Sequence, residues 1–168
     1  MSIEKTLLVQ KKERVFSIDT KIDWYDIGRS SDYLKILGMA LEGRIKSFKP
    51  SGKEVTKGLW RGTGSVLEKS MKIITPVYIG AGSIVEKNVK LEGPVMIGAN
   101  CRIHEGVELS NVYVSDYTRI KPGFKGKNLL ITPEYFVGID GSGGSVLDSN
   151  LSRYVSDVRA IEGISAAR

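Results

Sequence analysis

The chain carries a single histidine, His104, in the stretch RIHEGVEL. An imidazole is the side chain best suited to take a proton from a hydroxyl or amine near neutral pH, so His104 is the candidate general base. The competing reading is a surface residue, since His104 falls one place after an inward position of the repeat described below. Glu105 stands beside it, but adjacent residues seldom orient one another. The single cysteine, Cys101, excludes an intramolecular disulfide and argues against a cysteine zinc site. A core thiol is its natural reading. Arg44, Lys46, Lys49, Lys53, Lys57 and Arg61 face one acid, Glu54, within residues 44–61. With no aromatic ladder or nucleic-acid motif beside it, that run reads as a solvated basic segment rather than a nucleic-acid patch. GSGGS near the C-terminal end lacks the Lys-Ser/Thr pair of a phosphate-cradling loop and reads as a flexible linker.

The elements that must position these groups follow from a repeat. Pro76 and Pro94 sit at matching places in TPVYIGAGSIV and GPVMIGANCRI, and 94 − 76 = 18. Counting in sixes gives Leu67, Ile73, Ile79, Val85, Leu91, Ile97, Ile103 and Leu109, all aliphatic. Chance would produce that run with odds on the order of one in several thousand. The count restarts one place early at Val114 and continues at Ile120. A second register, four places on, reads Met71, Val77, Ser83, Val89, Val95, Cys101 and Val107, then Val112, Thr118 and Phe124. NVYVSDYTRI is a shortened third copy in which Asn111 replaces the proline. Six is neither a helix period nor that of an ordinary two-faced strand. It suits a short strand plus a corner, three of which close an 18-residue triangular coil. The expected fold is mainly β: a parallel β-helix of about three to four coils over 67–131, with its core made by stacking.

The flanks read as caps. SSDYLKILGMALEG is a helix within 29–43, with Ser30 as N-cap, Asp32 in the first turn and Gly43 as the stop. It is expected to pack on the solenoid, at its open end. RVFSIDT has strand composition. Residues 44–66 read as a basic linker leading into the solenoid and 132–148 as a Gly/Ser-rich loop. Leu151, Tyr154, Val155, Val158 and Ile161 predict a C-terminal capping helix over 149–163, with Ser149 as its cap.

WYDIGRSSDYLKI, residues 24–36, resembles the W-x-D-I-G-[ST]-x-x-D-Y-L segment of sugar-1-phosphate nucleotidyltransferases. The match is to the GDP-mannose pyrophosphorylase (mannose-1-phosphate guanylyltransferase) type. In that family the segment and its helix end a Rossmann-like catalytic domain, and a left-handed β-helix with P-V-x-I-G coils follows. The same order runs through residues 13–131 here. The left hand of the coil is what this resemblance implies. It also implies that residues 1–28 close a truncated catalytic domain, that the chain is the C-terminal part of such an enzyme, and that it serves assembly or regulation. The family's aspartate in this motif helps hold the catalytic Mg²⁺, a role that maps onto Asp26 as part of an incomplete site. Arg29 replaces the usual Ser/Thr, which shifts the helix cap to Ser30. The chain has no G-x-G-[ST]-R-x-x-P loop, so it is expected to transfer no nucleotidyl group alone and to work with a catalytic domain in the same or a separate chain.

Hexapeptide β-helices also resemble acyltransferases that use acetyl-CoA and a His base. That alternative assigns His104 the catalytic role on a sugar phosphate. The H-x-x-Y-x-G-D motif is absent, and the matching stretch RIKPGFKGKN has no histidine. A homodimer or homotrimer is expected, with Tyr78, Met96, Tyr113 and Met39 as an apolar contact surface. In a chain of 168 residues, 41% apolar content, 26% charge and a net charge of +6 are ordinary for a globular protein. Without a long apolar run or a signal-peptide pattern, a cytoplasmic location is expected, with no membrane or nucleic-acid partner.

Overall fold

The computed structural model describes residues 24–160. RVFSIDT and the stretch from Ile161 onward lie outside them. Among the described residues the first element is helix α1 (Ser30–Leu41). Fourteen strands follow among the described residues: β1 (Lys53–Thr56), β2 (Leu59–Arg61), β3 (Val66–Leu67), β4 (Lys72–Ile74), β5 (Val77–Ile79), β6 (Ile84–Val85), β7 (Lys90–Ile97), β8 (Arg102–Ile103), β9 (Glu108–Val114), β10 (Thr118–Ile120), β11 (Lys125–Ile131), β12 (Tyr135–Gly138), β13 (Gly143–Ser145) and β14 (Val155–Asp157).

Parallel pairing winds β2 to β11 into a left-handed β-helix of about 4 turns. Lys72, Lys90, Glu108 and Lys125 stack along one side. Leu59, Val77, Val95, Val112 and Leu129 stack along the second, and Leu67, Val85, Ile103 and Ile120 along the third. Both sequence registers point inward. Ile79, Val85, Leu91, Ile97, Ile103, Val114 and Ile120 are fully buried, as are Val77, Ser83, Val89, Val95, Val107, Val112 and Thr118. Each buried aliphatic side chain contributes about 1.5–3 kcal/mol.

The shortened copy has a local cause. β7 turns its corner with two residues, Gly93 and Pro94, and the register with β9 shifts between Glu92 and Val95. β9 makes the same corner with Asn111 alone, in the left-handed conformation at φ 53°, and β11 does so with Asn128 at φ 56°. Asn tolerates that region better than most residues. Asn111 Nδ2 donates to Asn128 Oδ1 at 2.8 Å, which joins the two corners.

The expected boundaries change at both ends. The first rung begins at Leu59 rather than Leu67, because β2 pairs with β5 in register. Counting in sixes misses this rung since the inward position before Leu67 is Arg61. Arg61 donates through Nε to Ser65 Oγ at 3.2 Å and through Nη2 to the Ser65 carbonyl, so it closes the coil with polar contacts. Residues 44–66 are therefore a linker only in their first part, with the β1–β2 hairpin at their end.

Residues 132–148 form a second hairpin, β12–β13, which pairs antiparallel onto β11. Gly143 pairs with Val137, and a Cβ there would lie 2.5 Å from the Phe136 carbonyl oxygen, which explains the glycine. GSGGS is thus the turn and second strand of a paired hairpin and not an unpaired linker. The expected C-terminal helix is absent from the described part of 149–163. Ser149 does cap a turn, accepting from Leu151 N at 3.2 Å, but the turn is a single 3₁₀ turn over Asn150–Arg153. β14 then pairs antiparallel with β10. The unpaired edge of β10 offers main-chain partners that a helix would leave unused. Leu151, Tyr154 and Val155 still reach the core, as their apolar character requires.

Helix α1 lies against β7, β9, β11 and β12, along the flat second side and not over an open end. Leu34, Leu37 and Leu41 are buried on Tyr78, with Met96, Tyr113 and Leu130 packed against them. Tyr33 meets Tyr113 edge-on, with ring centroids 5.4 Å apart. The outward apolar row thus serves an intramolecular contact, and Tyr78, Met96 and Tyr113 are occupied by the chain's own helix. Gly38 permits close approach, since a Cβ there would meet Pro94 Cγ at 3.2 Å. The N-cap is Arg29 rather than Ser30; Ser30 Oγ instead donates to the Gly138 carbonyl at 2.7 Å. Gly43, at φ 72°, ends the helix as expected.

Stacking also explains Gly80. A Cβ there would lie 2.3 Å from the Gly98 carbonyl oxygen of the next coil. Gly106, at φ 71°, has open space around its missing Cβ. Gly80→Ala is predicted to cost about 3 kcal/mol or more through overpacking against backbone. Gly106→Ala should cost only about 1–2 kcal/mol of backbone strain. Urea unfolding of the two variants measures the difference.

Candidate functional site

Corner geometry decides which polar groups meet. His104 follows inward Ile103, and the residue one coil earlier is Glu86. Main-chain bonds from Glu86 N to the Ile103 carbonyl and from His104 N to the Ile120 carbonyl, both 2.9 Å, hold these rungs together. The imidazole Nδ1 lies 3.1 Å from Glu86 Oε1. The Arg102 guanidinium donates to the same oxygen at 3.3 Å, and Glu105 N–H donates to Glu86 Oε2 at 3.1 Å.

Glu86, not the adjacent Glu105, therefore orients the ring. A neutral His104 with its proton on Nδ1 presents Nε2 as the free base. Glu105 faces elsewhere, pairing with Lys87 at 3.3 Å and accepting from Asn88 Nδ2 at 3.2 Å. Partial burial opposes the Glu86 charge, but His104, the Glu105 amide and Arg102 outweigh it and hold the carboxyl below its usual range.

The structure separates the remaining candidates. Cys101 is buried, and its Sγ lies 3.0 Å from the Ser115 carbonyl oxygen. Burial pushes the thiol up to about 11, which suits a core residue and not a nucleophile. Asp26 lies in the exposed segment before α1. Among the described residues no three His, Cys, Asp or Glu side chains gather to hold a metal ion. Asp26 has no ligand set beside it there, so the residues present do not fit a Mg²⁺ site. Among the described residues no helix is long and apolar enough to cross a membrane.

One polar ladder escaped the sequence reading. Glu108 bridges Lys90 at 3.2 Å and Lys125 at 3.0 Å on the first side. Hydrogen bonds from Lys125 and Lys90 lower its carboxyl pKa. These residues line a shallow groove of about 180 Å³ with Glu92, Ser110 and Lys127. The 18- and 17-residue steps that stack Lys90, Glu108 and Lys125 are the signal that would have found it. Exposed pairs of this kind contribute little to stability.

Comparison with known proteins gives two findings. The family model described as bacterial transferase hexapeptide (six repeats) matches residues 76–111. A UTP–glucose-1-phosphate uridylyltransferase of Synechocystis sp. (strain ATCC 27184 / PCC 6803 / Kazusa) is 30% identical over 145 residues. That alignment covers 86% of this chain and 37% of the relative, so the chain spans little more than a third of the relative's length. The chain therefore carries a hexapeptide β-helix similar to part of a sugar-1-phosphate nucleotidyltransferase.

A carboxyl whose pKa is lowered on folding stabilises the fold above its unfolded pKa, and this contribution is lost as pH falls through the lower folded value. Glu86→Gln removes the Glu86 contribution. The stability gap between wild type and Glu86→Gln is thus predicted to narrow as pH falls from about 5 to about 3. Chemical unfolding at each pH reads the gap; a constant gap would contradict the lowered pKa.

Proposed function

We propose that this chain is the C-terminal β-helix portion of a sugar-1-phosphate nucleotidyltransferase, of the GDP-mannose-forming type, and that it assembles or regulates a catalytic half. One observation carries the reading. The W-Y-D-I-G segment, its helix and the P-V-x-I-G coils occur in the family's order, and α1 is docked along those coils. The resemblance to a uridylyltransferase over most of the chain supports the same class of reaction. The guanylyl assignment rests on the W-Y-D-I-G segment alone.

Under this reading the catalytic half lies in the same polypeptide or a separate chain and supplies the G-x-G-[ST]-R loop. It also supplies the second carboxylate that a Mg²⁺ site would need beside Asp26. The chain itself presents an exposed segment at that junction, with Trp24 75% and Ile27 52% accessible. Self-association as a dimer or trimer in the cytoplasm remains part of the proposal. Its contact must use a face other than the row of Tyr78, Met96 and Tyr113, which α1 covers.

A second reading has one observation in its favour, the Glu86–His104 pair. A carboxylate-oriented imidazole is the arrangement a general base needs for acyl transfer from acetyl-CoA. Calorimetric titration with acetyl-CoA distinguishes it: binding that falls sharply in His104→Ala supports acyl transfer, and no heat at millimolar ligand removes it.

The primary reading is tested by pyrophosphate release from GTP with mannose 1-phosphate and from UTP with glucose 1-phosphate. The chain alone is predicted to release none. Added to a catalytic chain that bears the G-x-G-[ST]-R loop, it should change that chain's activity or assembly, and the preferred nucleotide should be GTP. Nucleotidyl transfer by this chain alone would overturn the proposal.

A further inference from the structure

The β12–β13 hairpin ends the sheet of the second side, and its outer edge is open. Gly138 N donates to the Ser142 carbonyl at 2.6 Å, and Val146 N donates to the Glu134 carbonyl at 2.7 Å. Bonded pairs alternate along an antiparallel ladder, so Gly144, midway between these two, is the β13 residue that bonds to β12, at Phe136. Gly143 and Ser145 therefore turn their N–H and C=O groups away from β12. Among the described residues no further strand pairs with β13.

The same hairpin leaves an apolar row uncovered. Val137 pairs with Leu130, which packs in the cluster under α1, so Val137 faces the helix side of the sheet. Tyr135 and Ile139 share that face by alternation. Tyr135 is 62% accessible, and Val137 and Ile139 are exposed as well. Their neighbours on β13 are small, with Ser145 opposite Tyr135 and Gly143 opposite Val137. Leu147, two places beyond Ser145, is 82% accessible. A bare strand edge beside an apolar row is what an added strand covers.

We propose that residues 14–20 of this chain, RVFSIDT, pair with the free edge of β13. The place where the chain enters the described part favours this occupant. Ser30 Oγ donates to the Gly138 carbonyl at 2.7 Å, which ties the start of α1 to the hairpin. Residues 1–23 precede the described part and join it at Trp24. Thr20 lies ten residues before Ser30. An extended chain of that length reaches about 33 Å. The edge of β13 lies only one strand spacing, about 4.8 Å, beyond β12. So short a tether holds the segment near the edge at a concentration on the order of millimolar.

Composition favours it too. Val15, Phe16 and Ile18 are strand formers, and Phe16 and Ile18, two places apart, share one face. An aromatic side chain from an added strand can lie over Gly143, where β13 offers no side chain of its own. Other occupants meet the edge less well. A helix would leave the main-chain groups of Gly143 and Ser145 unpaired. A second copy that offered its own β13 would set glycine against glycine and leave Tyr135 and Val137 uncovered.

Amide hydrogen exchange on the full chain, read residue by residue by NMR, tests the pairing. One variant carries Ser17→Pro with Ile18→Pro. Consecutive N–H groups of a strand point to opposite edges, so one of the two prolines must block the ladder. The second variant, Phe16→Asp, removes the apolar contact. The Gly143 and Ser145 amides are predicted to exchange at least about tenfold more slowly in the wild type than in either variant. Gly144, held by Phe136 within the hairpin, should exchange alike in all three proteins. Circular dichroism verifies that the variants fold. Exchange at Gly143 and Ser145 that is unchanged in both variants would overturn the proposal, as would protection that fades on dilution, the mark of a contact between copies. Equal loss of protection at Gly144 would also overturn it, because the hairpin itself would then be opening. None of these outcomes bears on nucleotidyl transfer.

Discussion

Neighbouring coils are joined by main-chain hydrogen bonds, such as Gly62 N to the Ile79 carbonyl and Gly80 N to the Ile97 carbonyl, both 2.8 Å. These bonds fix the coil spacing at about 4.8 Å. At that distance the residue one coil away is the nearest neighbour of every side chain, inside and out. Inward positions are therefore mostly apolar, and a polar one finds a partner, as Ser83 Oγ donates to the Gly98 carbonyl at 2.7 Å. Where they differ, a neighbour compensates: Gly126 stands below Leu109, and the space its side chain would fill is taken by the Phe124 ring, 2.7 Å from where a Cβ would be. Gly80 obeys the same constraint at a corner, where backbone and not side chain sets the spacing.

The polar features follow from the same spacing. Glu86 meets His104, and Glu108 meets Lys90 and Lys125, because each partner lies one coil away. The row Trp60, Tyr78, Met96, Tyr113 and Leu130 exists because stacking repeats an outward position without interruption. That row gives α1 a flat apolar surface, with Trp60 packed at its margin against the same cluster. One rule of adjacency thus produces the core, the docked helix and the oriented imidazole.

The core was legible in the sequence because inward positions recur at a fixed interval, and even the slip at Val114 was visible. Its cause was not, since only the backbone shows Asn111 turning in one residue the corner that Gly93 and Pro94 turn in two. The ends were least legible. There a residue answers to unique neighbours: Arg61 closes the first rung, and β14 serves the free edge of β10 in place of a helix. The helix itself was legible from its periodicity, while its position along the second side required the outward row to be read as a surface. For the candidate site, His104 and the family position Asp26 were legible as residues. The Glu86 partner was not, because it lies 18 residues earlier and becomes a neighbour only through the coil.

Stacking continuous through the slip is the central claim, and amide hydrogen exchange under native conditions tests it most directly. The amide of Lys90 bonds to the Val107 carbonyl before the slip and that of Gly98 to the Val114 carbonyl across it, while those of Glu108 and Ser115 bond to the next coil, at the Phe124 and Ile131 carbonyls. The account predicts that all four exchange together, at the rate of global unfolding. Early, separate exchange of Gly98, Glu108 and Ser115, with Lys90 still protected, would show that the coils divide at Asn111 and would contradict it.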